Sequence, residues 1–162
     1  MKIFRLKIGD LFCVNLNDIN KGYFQFIGND LTQLNSNVIK VFKHQFPNDA
    51  NPRDEILARE PVLFYAHTLI RAGIKLGFWE RVGNATIFGA CDVLFRSSSD
   101  VGNKDVKISH NWWVWKMNDK QQRVGSLENS GLVTEVGRVV APHNIVFRMK
   151  NGEYNFVYPR FQ

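Results

Sequence analysis

The sequence has few of the residues that build disulfide-stapled or metal-bound domains. It contains 2 cysteines and 4 histidines in 162 residues. Cys13 and Cys91 lie in the apolar segments DLFCVNL and GACDVLF, where a reduced cysteine packs as a small hydrophobic residue. The histidines are dispersed and lack the ligand spacing of a zinc site. We therefore expect no disulfide framework, no metal and no cofactor, and a reducing compartment.

Long apolar runs are also absent. No segment reaches the roughly 18 apolar residues that a membrane helix requires. The start, MKIFRLKIGD, alternates basic and apolar residues and lacks the apolar core of a secretory signal. These patterns predict a cytoplasmic protein with no membrane partner.

The sequence has no run of like charges. Its 21 Lys and Arg exceed its 15 Asp and Glu, which gives a formal net charge of +6. The excess is spread along the chain, with 10 basic against 8 acidic residues in 1–80 and 11 against 7 in 81–162. Without a concentrated basic patch the charge indicates a mildly basic soluble surface. We therefore do not expect a nucleic-acid partner, although the basic balance keeps one as the alternative.

Catalytic signatures are missing as well. The sequence has no G-x-S-x-G elbow and no glycine-rich phosphate loop. One enzymatic alternative is a small hydrolase that uses His67 or His110 with a carboxylate. A second acid–base group, which we interpret instead as a solvated loop edge, comprises Asp92, Arg96, Asp100 and Asp105. We expect a protein that is not an enzyme.

The residues that are abundant favour strands. The chain is 44% hydrophobic and 13% aromatic, enough to form a core, and its length fits a single domain spanning 1–162. Alternation and turn signals predict strands at 10–16, 23–28, 37–46, 62–70, 78–82, 91–96 and 106–118, then a strand pair within 127–140. A short helix is predicted at 53–60. The pattern of residues 62–76 is compatible with either a strand or a helix. Gly73 and Gly77 favour an irregular crossing after residue 70.

The end of the chain, NIVFRMKNGEYNFVY, has the pattern of a hairpin, because Asn151-Gly152 suits a type I′ turn. Short strands at roughly ten-residue spacing indicate a mainly β fold with minor α. We expect one strongly bent antiparallel sheet or an SH3-like barrel, with one or two short helices.

Three of the four tryptophans fall in WWVW, residues 112–115. Strand alternation places Trp113, Trp115 and Met117 on one face and Trp112, Val114 and Lys116 on the other. Because both faces are apolar at the centre, the pattern favours a strand buried on both sides. The alternatives are a protein-contact surface and a platform on which bases stack.

Short motifs along nearly the whole chain resemble the immunity protein 26 family of bacterial polymorphic toxin systems. The opening carries Lys7, Gly9, Asp10 and Phe12, then Gly22, Tyr23 and Gln25 after a turn. The resemblance continues through GFWERVG, LFR, WWVWK and APHNIVFRMKNG. The opening is also similar to SH3-like barrel starts in general.

This resemblance implies a non-catalytic cytoplasmic protein that binds and neutralises a cognate toxin protein by occluding it. The expected partner-binding residues lie on loops or polar faces beside aromatic residues: Asp30, Arg81, Arg96, Asp100, Trp112, Lys116 and Arg123. The alternative function is a basic β-barrel that binds RNA or single-stranded DNA. The toxin's identity and the oligomeric state stay open at this point.

Overall fold

Two β-sheets and three short helices form the protein, as seen in a computed structural model that describes residues 4–162. Residues 1–3 lie outside this range. They begin both the predicted domain 1–162 and the segment MKIFRLKIGD. The fold is mainly β, as predicted. The sheets do not close into a barrel, and the helices are three rather than one or two.

The first sheet has seven strands in the order β11-β5-β3-β2-β1-β6, with β4 paired to the start of β2. These strands are β1 (Asp10–Asn15), β2 (Asn20–Asp30), β3 (Ser36–Phe42), β4 (Phe46–Pro47), β5 (Val62–Thr68), β6 (Glu80–Asn84) and β11 (Val139–Val140). The strands predicted at 10–16 and 23–28 correspond to β1 and β2, which pair as a hairpin with Phe12 opposite Phe24. β11 runs parallel to β5, so the sheet is mixed and not purely antiparallel.

The second sheet has four strands in the order β10-β7-β8-β9. These are β7 (Leu94–Ser98), β8 (Trp112–Trp115), β9 (Gln122–Gly125) and β10 (Thr134–Val136). β10 pairs parallel to β7, while β7, β8 and β9 pair antiparallel. The strand predicted at 106–118 is too long, because only residues 112–115 form a ladder and Ile108 makes an isolated bridge to Arg160. Side-chain bonds hold the preceding backbone in a loop: Ser109 Oγ accepts from Asn111 N (3.1 Å) and donates to Asp100 Oδ2 (2.7 Å).

Helix α1 (Asp54–Ala58) lies within the predicted helix at 53–60. The irregular crossing after residue 70 is wrong, because α2 (Ile70–Lys75) occupies it. Gly73 allows α2 to pack closely against Trp79. A β-carbon at that position would lie 2.0 Å from indole carbons of Trp79, so the helix tolerates glycine's low propensity to bury that ring. Gly77, with φ of 77°, follows the helix and lets the chain turn towards β6.

The C-terminal hairpin is also wrong, since helix α3 (Pro142–Asn151) replaces its first half. Pro142 at the first turn suits a helix start. Ile145, Val146 and Met149 recur at helical spacing and are buried. Gly152, with φ of 84°, ends the helix, and its N–H donates to Arg148 O at 2.8 Å.

Four apolar clusters show how the layers pack. The largest joins one side of the first sheet to α2 and α3 and includes Phe24, Trp79 and Ile145. A second includes Leu57 of α1. A third joins the two sheets, with Val38 from the first and Trp115 from the second. The fourth packs Trp112, Val114 and Leu127 against aromatic residues of the chain's end.

Candidate partner-binding surface

The WWVW strand sends its tryptophans to three different places. Trp115 is buried between the sheets, and Trp112 is buried in the cluster with Val114 and Leu127. The prediction of a strand buried on both faces is therefore confirmed for these two rings. Trp113 is 37% exposed, because alternation puts it on Trp115's side at a position that nothing fully covers. A single accessible indole results.

The hairpin formed by β8 and β9 is held in place by the loop between β2 and β3. The Leu31 N–H donates to Asn118 Oδ1 at 2.8 Å. Thr32 Oγ1 donates to Asn118 O at 3.0 Å, and Gln33 Nε2 donates to Asp119 O at 3.1 Å. These bonds join the first sheet to the tip of the hairpin. These bonds restrict the movement of the hairpin relative to the first sheet.

The accessible residues at this end of the molecule form what we call the hairpin surface: Leu31, Trp113, Lys116, Arg123 and Val124. Leu31 is 70% exposed, and Lys116, Arg123 and Val124 are exposed. Trp113 lies directly opposite Arg123 in the ladder, so the indole and the guanidinium stem are neighbours. Lys116 Nζ lies 3.1 Å from Asp92 Oδ1 in an exposed pair. Arg123 shares the face of Trp113, whereas strand alternation places Lys116 on the other face.

Strand β9 lies at the end of the second sheet, and its residues 122–124 are exposed. The corresponding end strand of the first sheet, β6, is partly covered by a side chain. The Asp54 carboxylate of α1 accepts from the Asn84 N–H of β6 (3.1 Å), so a side chain occupies that backbone donor. An accessible strand edge is a template for another chain, and covered edges are not.

Two of the seven expected partner residues, Lys116 and Arg123, belong to the hairpin surface. Two others, Arg81 and Asp100, bind side chains of this protein elsewhere on the molecule. Arg81 pairs with the buried Asp10 at 2.9 Å, far along the first sheet. Burial alone would raise the pKa of Asp10, but hydrogen bonds from Arg81, Asn84 and the backbone of Lys7 lower it. Asp100 accepts from Ser109 (2.7 Å) and Asn111 (3.1 Å), and these bonds lower its pKa and close the loop between β7 and β8.

Arg96 is mostly enclosed by aromatic rings. Its guanidinium carbon lies 5.0 Å from the ring centre of Phe161, 5.6 Å from Trp112 and 5.7 Å from Tyr158. Nη1 donates to the backbone oxygen of Thr134 at 2.9 Å. Burial lowers the pKa of this guanidinium. Cation–π contacts with the rings offset part of the cost of burying its charge. Arg96 therefore holds the end of the chain against the second sheet.

The remaining expected partner residues, Asp30 and Trp112, have no exposed surface in this conformation. Asp30 lies at the junction of the two sheets. Its Oδ2 accepts from His67 Nε2 and Trp115 Nε1, both at 2.8 Å, and its Oδ1 accepts from Asn118 N at 3.2 Å. Burial alone would raise the pKa of Asp30, but these donors lower it.

His67 is the other half of this buried pair. Burial lowers the pKa of His67, and the bond to Asp30 only partly opposes that effect. A neutral imidazole therefore donates from Nε2–H to an ionised carboxylate, which leaves Nδ1 buried without a partner. Both side chains are 0% exposed, so no substrate reaches them. His110, the other histidine considered for a hydrolase, is exposed and contacts Ser126 Oγ at 3.2 Å.

The four residues of the other acid–base alternative are not brought together. Asp92 pairs with Lys116, Arg96 lies among aromatic rings, Asp100 closes its loop and Asp105 is exposed. Over residues 4–162, no three His, Cys, Asp or Glu side chains converge as metal ligands would. Within the same range no helix is long and apolar enough to cross a membrane.

Sequence reasoning missed Leu31, Trp113 and Val124 as accessible residues. Alternation gives the side of a strand on which a residue lies, but not whether the opposing layer extends over it. The one available signal was the polar stretch on each side of WWVW, which indicates a short strand near the edge of a layer. Comparison with protein-family models, curated proteins and solved structures finds no match to the chain.

Proposed function

We propose that the protein is a non-catalytic immunity protein that binds a cognate bacterial toxin and neutralises it by occlusion. The observation that carries the proposal is the hairpin surface, where Trp113 lies accessible beside Arg123 on a hairpin fixed to the first sheet. Tryptophan and arginine are the residues that most often dominate binding energy at protein interfaces.

Rigid support favours this use of the surface. Binding by a flexible hairpin would cost roughly 0.5–1.5 kcal/mol for each rotamer-rich side chain that becomes ordered. The bonds between Asn118 and the loop at Leu31 and Thr32 order the hairpin in the free protein. The two cations of the hairpin surface favour a partner with an acidic patch, which they would steer towards the indole.

The alternative of single-stranded nucleic-acid binding is less well supported. Stacking platforms use several accessible rings, and each stacked base contributes about 1–3 kcal/mol. Trp112 and Trp115 are buried, so Trp113 is the accessible indole of this strand. One accessible ring beside one arginine fits a protein contact better than a strand-tracking groove.

The proposal predicts that an open reading frame immediately upstream of the gene encodes a large secreted protein with a C-terminal toxin domain, and co-expression with that domain tests it. The wild-type protein should restore growth and bind the purified domain. Trp113→Ala should weaken binding by about 2 kcal/mol, roughly thirtyfold in Kd. Arg123→Glu should slow association at low salt. Arg71→Glu is the control, because Arg71 is exposed on α2, away from the hairpin.

Two results would overturn the proposal. One is a wild-type protein that neither rescues growth nor binds the toxin domain. The other is binding to mixed-sequence oligonucleotides that weakens steeply with salt and depends on Trp113, because that response is typical of phosphate contacts.

A further inference from the structure

Three segments that are far apart in the chain cover one side of the first sheet: residues 4–8, helix α2 and helix α3. All three pack on the same apolar cluster, through Phe4, Ile70 and Ile145 among others. The second sheet lies on the other side of the first sheet. Val38 packs with that second sheet, whereas the next residue of β3, Ile39, points into the cluster under the helices. We call the outer surface of the three segments the helical face.

The helical face is basic. Its three segments contain six Lys and Arg residues and no Asp or Glu. Arg148 of α3 pairs with Glu135. The other five are exposed, and within residues 4–162 none of them forms a salt bridge: Arg5, Lys7, Arg71, Lys75 and Lys150. Because the whole chain has a net charge of +6, most of its basic excess lies on this face.

The acids that follow these segments in the chain do not cancel the charge. Asp10, after the first segment, is buried and pairs with Arg81. Glu80, after α2, lies opposite Cys13 in the ladder, and Cys13 packs on the other side of the sheet. Glu153, just beyond α3, is exposed. The five exposed cations therefore leave the helical face with a positive excess.

The basic charge is spread along the chain but not in space. Both halves of the sequence share the excess, and no run of like charges occurs. The fold nevertheless brings cations from the beginning, the middle and the end of the chain to one side of the first sheet. A surface of unpaired like charges attracts an anionic surface. The partner of the helical face is therefore expected to be anionic.

Exposed aliphatic side chains lie next to these cations. Ile8 follows Lys7 and is 61% exposed, and Leu76 follows Lys75 and is 65% exposed. Leu69, directly before α2, is 50% exposed. A phosphate backbone would leave these side chains in water, whereas the boundary between lipid headgroups and acyl chains would bury them.

The aliphatic character also separates a bilayer from a single-stranded nucleic acid. Bases stack on accessible aromatic rings. The rings of Phe4 and Phe78 are instead partly buried against the apolar cluster. An anionic bilayer requires no stacking platform, because cations contact the headgroups and aliphatic side chains enter the layer beneath them. The combination of side chains on the helical face thus favours lipid.

We propose that the helical face binds the surface of a membrane that contains anionic lipids. The five exposed cations contact the headgroups, and Ile8 and Leu76 enter the boundary with the acyl chains. The sequence-based expectation of no membrane partner rests on the absence of a spanning segment, which a peripheral contact does not require. The inference concerns a different surface from the hairpin surface and does not depend on the proposed function.

Co-sedimentation with lipid vesicles tests the inference. The protein should bind vesicles of phosphatidylcholine that contain about one-third phosphatidylserine, and it should not bind pure phosphatidylcholine. Binding should weaken as salt increases, because salt screens exposed charges. Each cation near an anionic bilayer strengthens binding about fivefold, so the double substitution Arg71→Gln and Lys75→Gln should weaken it roughly 25-fold.

The matched control is the double substitution Lys104→Gln and Lys107→Gln. Both lysines are exposed in the loop between β7 and β8 of the second sheet, and their loss changes the net charge by the same amount. Because charges that are distant from the membrane are screened, this variant should bind the vesicles within about twofold of the wild type. Circular dichroism checks that both variants fold.

A third variant, Leu76→Ser, tests whether aliphatic side chains enter the bilayer. It leaves the net charge unchanged and should weaken vesicle binding by at least about fivefold, because the leucine side chain is buried in the bound state. Val133→Ser is its control, since Val133 is 88% exposed beside β10 of the second sheet. This control should bind as the wild type does.

The inference is overturned if the wild type does not bind the anionic vesicles at low salt. Equal weakening by the two double variants would also overturn it, because net charge alone would then govern binding. Unchanged binding of Leu76→Ser would contradict contact with the acyl boundary. If mixed-sequence oligonucleotides or poly-glutamate bound in place of the vesicles, and the Arg71 and Lys75 substitutions abolished that binding, the face would belong to a nucleic acid or an acidic protein instead.

Discussion

At the scale of single residues, the buried pair of Asp30 and His67 makes stability depend on pH just below neutrality. His67 is neutral in the folded state because burial lowers its pKa. In the unfolded chain its pKa returns to about 6.5. Below that value the unfolded state binds a proton that the folded state does not, so stability falls as pH falls. The contribution is fully present above about pH 6.5.

This dependence predicts the behaviour of a His67→Gln variant. The glutamine Nε2 can still donate to Asp30, but the side chain does not titrate. The free energy of unfolding of the wild type should fall more steeply between about pH 6.5 and pH 5.5, by up to about 1.4 kcal/mol per pH unit. Urea unfolding at several pH values measures the slopes. His110→Gln, at an exposed histidine, should keep the wild-type slope, and equal slopes for wild type and His67→Gln would contradict the prediction.

Tryptophan placement shows how far sequence reasoning reaches for single residues. Alternation and composition predicted interior packing for WWVW, and Trp112 and Trp115 are buried. The same argument failed for Trp113, because it depends on where the neighbouring layer ends. The expected contacts Asp30 and Trp112 were chosen as polar or aromatic loop-side residues, but hydrogen bonds and ring packing draw both inside. Burial of a polar residue depends on distant donors that the local sequence does not reveal.

At the scale of elements, the end of the chain shows one signal with two meanings. Asn-Gly favours a type I′ hairpin turn, yet glycine with positive φ also ends helices. Here the tertiary contacts of Arg148 favour the helix. Its guanidinium carbon lies 4.1 Å from the ring centre of Phe64 and 4.7 Å from that of Tyr154, and it pairs with Glu135. These tertiary contacts outweigh strand propensity in NIVF, which local pattern alone does not disclose.

A pair of substitutions at Gly152 tests its role as the helix end. Gly152→Ala should lower the free energy of unfolding by about 1 kcal/mol, because a β-carbon disfavours φ of 84°. Gly152→Asn should recover much of that loss, since asparagine adopts this conformation more readily. Space is not the cause, because no atom lies within 4 Å of the position that the β-carbon would take. Equal stability of the two variants, measured by urea unfolding, would contradict this account.

At the scale of the whole molecule, the sequence predicted a mainly β fold but not how the strands divide between two sheets. Antiparallel neighbours such as β1 and β2 are joined by a short turn, so local signals suffice. The parallel pairs β10–β7 and β11–β5 join segments far apart in the chain. Their pairing depends on the complete packing of the two sheets.

Asp30 is a fully buried polar connection between those sheets, since it accepts from His67 of β5 and Trp115 of β8. In Asp30→Asn the amide nitrogen replaces one acceptor oxygen and leaves at least one buried donor unpaired, at a cost of about 1–3 kcal/mol. The loss should loosen the second sheet preferentially, because its attachment depends on this junction. Hydrogen exchange should show amide protection in β7 and β8 falling about tenfold further than in β1–β3, a difference of about 1.4 kcal/mol.

The first sheet provides a matched control for that experiment. Asp10 is also fully buried, and both its oxygens accept hydrogen bonds, from Arg81, Asn84 and Lys7 N. Its partners belong to β6 and to the segment before β1, so Asp10→Asn should destabilise the protein without singling out the second sheet. If Asp30→Asn also lowered protection equally in both sheets, they would unfold as one cooperative unit. The junction would then contribute to global stability and not to the attachment of one sheet to the other.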